Sequence, residues 1–192
     1  MSAAEVVFDY FEDHTRSADS VRHSRPVALG LLCFAAGGVS VFMAQAVAGT
    51  LAPFSFSLLS LTLLVLWQVV LGLAFTAMLH LVMEFEGIQG SAASLFALMG
   101  LADLVWCLAV PLTLVLRLAV PNRPWLMTVA FIGVGLLSLG YKARSIQDNY
   151  QVSAARAWIT LFVPYVAVVV AVLLVFTVAV VGLVKQFIQW VS

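Results

Sequence analysis

One acidic side chain stands in the middle of a long apolar stretch. Asp103 is the only charged residue between positions 92 and 116. A carboxyl in such a place costs free energy and usually faces a bundle interior or water. With no basic residue predicted at its depth, we expect Asp103 to be protonated or to bond a hydroxyl such as that of Thr76. Two roles stay open, a neutral hydrogen bond between helices and an ionisable site for a partner or ion.

His80 and Glu84 form a second candidate, because residues four apart share a helical face. The spacing suits metal ligands, but two groups leave a typical metal site incomplete. We therefore expect an interfacial pair in which the carboxylate orients the imidazole, and no metal site.

Motifs of the common enzyme classes are absent. The sequence contains no G-x-S-x-G, H-E-x-x-H, C-x-x-C or phosphate-binding G-x-x-x-x-G-K-[ST]. Cys33 and Cys107 are predicted to pack as small apolar residues, and Gln45 and Gln68 to bond between helices. We expect no catalytic residue, no cofactor and no enzyme activity.

The composition is that of a membrane protein. Of the 192 residues, 64% are hydrophobic and 9% charged, whereas soluble domains carry about 25% charged residues. The expected partners are the lipid bilayer and other integral membrane proteins, or further copies of the chain. A net charge of zero gives no reason to expect nucleic acid.

The fold predicted is all-α, a polytopic bundle of five transmembrane helices. Residues 26–192 form the membrane domain, with spans at about 27–47, 56–82, 92–116, 125–141 and 158–184. In the first span, a ridge of small residues is expected to pack closely on another helix: Ala36, Ser40, Ala44 and Ala48. Pro111 is expected to interrupt the third span.

Residues 1–25 form an N-terminal segment with a short acidic helix at 3–14. Its predicted apolar face consists of Ala4, Val7, Phe8 and Phe11. With acidic rather than basic residues on the other face, docking onto protein is favoured over binding to anionic lipid. A frayed, solvated terminus is the alternative.

Six Lys and Arg residues precede the first span or lie at 142–156, and three lie at the other span ends. The distribution predicts a cytoplasmic (inner) membrane protein with its N-terminus in the cytoplasm and its C-terminus outside. The main docking face is then the acidic helix, the turn with Glu84 and Glu86, and the polar loop at 142–156. Lys142 or Arg144 is expected to pair with Glu84 or Glu86 there.

Residues 80–91, followed by the Gly-Leu-Ala at 100–102 and Pro111, resemble the bacterial Yip (Ypt-interacting-protein) family. Residues 141–146, 153–157 and Pro164 are similar to that family's short loop and the start of its last span. The resemblance implies a five-span protein without known catalysis. It favours a non-enzymatic scaffold or accessory subunit of a larger membrane complex, such as a transport complex.

The alternative function is a small oligomeric transporter or channel-like protein that uses Asp103. The carboxyl within a span and the break at Pro111 favour it. A chain with five spans does not suggest the paired repeats of many transporters, so this function would call for oligomerisation.

Overall fold

The structure is a computed structural model that describes residues 3–51, 55–120 and 123–191. Five helical stretches in it are long and apolar enough to cross a membrane, which confirms the all-α fold with five candidate spans. The elements are α1 Ala3–Glu12, α2 His14–Ser24, α3 Val27–Ala48, α4 Leu58–Phe85, α5 Ala92–Asp103, a 3-10 segment Leu104–Leu108, α6 Ala109–Ala119, α7 Pro124–Tyr150 and α8 Ala154–Val191.

Helix α5 is the centre of the bundle. Every side chain from Ser94 to Asp103 is buried, and α5 packs against α2, α3, α4 and α7. α3 approaches it through glycines. A Cβ added at Gly30 would lie 2.8 Å from the Cα of Ala97, and one at Gly37 would lie 2.9 Å from the carbonyl oxygen of Asp103. The two backbones therefore touch directly at these positions.

The small-residue ridge predicted on α3 faces the second half of the third span. Ala44 is buried against Val105 and Ala109, and the Ser40 hydroxyl donates to Cys107 Sγ at 3.3 Å. These contacts confirm the predicted packing for two of the four ridge residues. The tighter glycine contacts with α5 were not foreseen.

The third span changes helix type before Pro111. α5 passes through the 3-10 segment Leu104–Leu108 into α6, and Pro111 lies in the first turn of α6. First-turn N–H groups have no α-helical partner of their own, so a residue without an N–H is tolerated there. The predicted interruption is therefore confirmed as a local change of helix type.

The polar stretch predicted as a loop at 142–156 is mostly helix, so that prediction is wrong. α7 continues through Lys142 to Tyr150, and Gln151 ends it in a left-handed conformation with φ of 53°. Lys, Arg and Gln are compatible with a helix, and the residues between them, such as Ala143, Ser145 and Ile146, are buried against neighbours. The connection to α8 shrinks to residues 151–153.

The N-terminal segment folds as two helices. Asp13 separates them, and its side chain accepts a hydrogen bond from the N–H of Arg16 as the N-cap of α2. The predicted apolar face was wrong in part. Val7 packs against the bundle as expected, but Val6 and Tyr10 are the buried residues and Phe8 is 75% exposed. Tyr10 can point inward because its hydroxyl finds a buried partner, Ser145.

Candidate intramembrane site

Asp103 ends α5 inside the bundle and is paired with a lysine. Its Oδ1 lies 2.6 Å from Lys142 Nζ, and the side chains are 0% and 17% exposed, respectively. The Gln68 side-chain amide on α4 donates to Asp103 Oδ2 at 2.8 Å. Three helices thus contribute one acidic, one basic and one amide group, which we call the polar cluster.

The polar cluster corrects the predicted environment of Asp103. A basic partner is present at its depth, because α7 continues as a helix and carries Lys142 inward instead of to the surface. Thr76 is not the partner. Its buried Oγ1 has no hydrogen-bond partner among the described residues. Gln68, two turns earlier on α4, makes the bond instead and confirms its predicted role between helices.

The N-terminal helices pack close to the polar cluster. The Tyr10 hydroxyl on α1 is 3.4 Å from the carbonyl oxygen of Tyr141, the residue before Lys142. The same short helix exposes Glu5 and Glu12. The polar cluster therefore lies close to a helix that carries exposed carboxylates. The position near mid-span expected for Asp103 stays a prediction.

A cavity of about 440 Å³ lies against the polar cluster. Its walls are α4, with Leu71, Ala74 and Met78, and α8, with Tyr165 and Val168. Gln68, Asp103 and Lys142 also line it. The cavity therefore combines an apolar surface with one charged pair and one amide, the usual composition of a small-molecule site.

His80 and Glu84 do not form the predicted pair. His80 Nδ1 lies 2.7 Å from the Tyr150 hydroxyl, and Glu84 is exposed. Gly90 permits this contact, because a Cβ there would collide with the Tyr150 ring. The partner of His80 was predicted wrongly because residues 142–156 were expected to form a loop. Tyr150 instead lies at the end of α7, and its ring can reach His80 only from there.

The predicted docking face loses Lys142. Glu86 binds Arg156, with Oε2 2.6 Å from the nearer guanidinium nitrogen, and neither Lys142 nor Arg144 takes that position. Lys142 points into the bundle because α7 continues as a helix and carries it toward Asp103. Arg144 is exposed. The surface that remains consists of Glu84, the Glu86–Arg156 pair, Arg144 and the outer side of α1.

The N-terminal helices dock on their own chain through buried polar contacts. Tyr10 and Ser145 hydroxyls lie 2.8 Å apart, and His14 Nδ1 lies 2.6 Å from Asp148 Oδ2. Desolvation raises the pKa of Tyr10 far above its ordinary value, although the Ser145 hydrogen bond opposes the rise. No sequence signal identified these residues, since they are separated by more than a hundred positions.

Comparisons with protein-family models, curated proteins and solved structures give no match to this chain. The resemblance to the Yip family therefore stays a prediction.

Proposed function

We propose that this protein is a non-enzymatic integral membrane scaffold or accessory subunit, with α8 as its assembly helix. The observation that carries the proposal is the exposure of nearly the whole length of α8. From Tyr165 to Trp190, every side chain of this helix that the structure describes is exposed. The membrane-spanning window of α5 and α6 is 61% buried, whereas those of α4 and α8 are 6% and 0% buried.

The length of α8 supports an assembly role. Its 38 residues correspond to about 57 Å at 1.5 Å per residue, nearly twice the hydrocarbon thickness of about 30 Å. Only its first turns, including Ala157 and Leu161, are buried against the bundle. The helix is then almost wholly apolar as far as Val184, and it presents Ala167, Ala171 and Gly182, residues that allow another helix to approach closely.

Photo-crosslinking tests the proposal at matched positions. A photoreactive residue is placed at Val172 on α8, which is 61% exposed, or at Leu66 on α4, which is 56% exposed. We expect Val172 to give one discrete protein adduct, either to a second copy or to another membrane protein. Leu66 should give lipid adducts. Lipid adducts alone at Val172, or the same protein adduct from both positions, would contradict the assignment to α8.

The proposed orientation keeps the N-terminus in the cytoplasm and the C-terminus outside, in a cytoplasmic membrane. The excess of Lys and Arg at the N-terminal end of the bundle supports it. Reporter fusions at the two termini test it. A C-terminal reporter that is active only in the cytoplasm would contradict the orientation.

A small oligomeric transporter is the second candidate. The cavity favours it, because Asp103 and Lys142 line a space beside the bundle instead of being enclosed on all sides. Solute flux into vesicles that contain the protein tests this function. Flux no greater than the leak of empty vesicles rejects it without affecting the scaffold proposal.

A further inference from the structure

We propose that the cavity between α4 and α8 binds an uncharged single-chain amphiphile of the acylglycerol type. Its oxygen-bearing head would contact Lys142 and Gln68, and its chain would lie between the two helices. The site uses Tyr165 and Val168 at the start of the exposed stretch of α8, and it does not require that the rest of that stretch bind a partner.

Unused hydrogen-bonding capacity identifies the head. The Lys142 ammonium has three N–H donors, and Asp103 is its only partner among the described residues. Gln68 uses its amide nitrogen on Asp103, and its Oε1 accepts no hydrogen bond in the described part of the chain. Both residues line the cavity. A ligand that offers an acceptor oxygen and a hydroxyl donor would satisfy both groups, and an ester of glycerol carries both.

The charge balance of the polar cluster excludes an anionic head. Lys142 and Asp103 carry opposite charges 2.6 Å apart, and Gln68 is neutral. A carboxylate or phosphate would lie beside Asp103 and repel it, and would have to displace Asp103 from Lys142 to be neutralised. An uncharged head avoids that cost and still receives hydrogen bonds from the ammonium.

The walls suit a hydrocarbon chain. Leu71, Phe75 and Met78 on α4 and Pro164, Tyr165 and Val168 on α8 line the cavity. The rings of Phe75 and Tyr165 lie 5.3 Å apart, in contact, and bound the cavity where the two helices meet. Most side chains of both helices are exposed where the bilayer would surround them, so a chain can enter sideways from the lipid. The volume of about 440 Å³ falls within the range of pockets that hold small ligands.

Binding of labelled monoolein to the full chain in phosphatidylcholine nanodiscs tests the proposal. Unlabelled monoolein should compete for a saturable site. Oleate and lysophosphatidylglycerol have the same chain with an anionic head, and octadecene has no head, so each should compete at least ten-fold less well. Equal competition by either anionic ligand would overturn the neutral head. Equal competition by octadecene would overturn any role of the polar cluster, and non-saturable uptake would overturn the site itself.

Two tryptophan substitutions on α4 locate the site. Ala74 lines the cavity, whereas Ala77 is exposed and does not line it. Ala74→Trp should weaken monoolein binding at least ten-fold, and Ala77→Trp should change it less than two-fold. Unchanged binding in Ala74→Trp, or equal losses in both, would place the ligand elsewhere. The competition series on the unsubstituted protein decides the proposal if Ala74→Trp fails to fold.

Discussion

Removing the lysine of the polar cluster should destabilise the bundle strongly. Lys142→Met keeps the length and the apolar stem of the side chain but leaves the fully buried Asp103 carboxylate without its cation. Removing one partner of a buried ion pair typically costs about 3 to 5 kcal/mol. The Gln68 hydrogen bond persists at 2.8 Å, so we expect the loss to fall near the lower limit, at about 3 kcal/mol.

The double variant Lys142→Met with Asp103→Asn separates the ion pair from packing. Asparagine is neutral and can still accept a hydrogen bond from Gln68 through its side-chain oxygen. Because replacing both charges removes the uncompensated group, we expect the double variant to recover at least about 2 kcal/mol of the loss.

Unfolding by sodium dodecyl sulfate from mixed micelles measures these free energies, with Asp103→Asn completing the cycle. Arg144→Met is the matched control, because Arg144 lies on the same helix but is exposed. We expect that control to change stability by less than about 0.5 kcal/mol. A loss for Lys142→Met as small as that of Arg144→Met, or no recovery in the double variant, would refute the pairing.

Three further perturbations test other parts of the structure. Gly100→Ala should cost about 1 to 3 kcal/mol in the same unfolding assay, because the added Cβ would collide with the backbone of Gly30. A Cβ at Gly140 would meet no atom within 4 Å, so Gly140→Ala should be neutral or stabilising. Equal effects of the two substitutions would refute the close contact of α3 and α5. Tyr10→Phe should loosen α1 by about 0.5 to 1.5 kcal/mol at neutral pH, because the hydrogen bond between Tyr10 and Ser145 is lost while Ser145 still donates to the carbonyl oxygen of Tyr141. Burial raises the pKa of Tyr10 in the folded protein. The stabilisation of α1 by neutral Tyr10 is therefore complete below the unfolded pKa of about 10, and it falls by up to about 1.4 kcal/mol per pH unit above that pH. Hydrogen exchange of α1 should show this slope in the wild-type protein and not in Tyr10→Phe. Glu86→Gln removes an exposed ion pair with Arg156 and should cost no more than about 1 kcal/mol by thermal unfolding; a larger loss would show that the pair holds the α4 turn to α8.

The membrane spans could be predicted because they depend on local composition. Runs of about 20 apolar residues define a span wherever they occur, whatever the rest of the chain does. The ends were less accurate, as the extension of α7 past Tyr141 shows. A polar stretch ends the apolar run but does not end the helix, so hydropathy locates the edge of the lipid and misses the edge of the helix.

The candidate site could be predicted only in part. Asp103 could be singled out by its isolation among apolar residues, but its pairing with Lys142 depends on how α5 and α7 are aligned. That alignment is set by contacts between the two helices, such as the one from the Ser145 hydroxyl to the carbonyl oxygen of Leu98, which no short motif records. The inward face of α1 was missed for a related reason. Hydrophobicity favoured Phe8, whereas burial of Tyr10 depends on the distant Ser145 hydroxyl.

The mass of the native particle tests the proposed function most directly. The protein is extracted with its surrounding lipid by an amphipathic polymer, without detergent, and the particle is weighed by native mass spectrometry after release. The scaffold proposal predicts particles in which this 20.7 kDa chain is bound in a fixed ratio to another membrane protein or to further copies of itself. Truncating α8 after Lys185 should leave that ratio intact, whereas placing tryptophans at Ala167 and Ala171 should lower it. Single chains with lipid alone, across several polymers, would contradict the proposal.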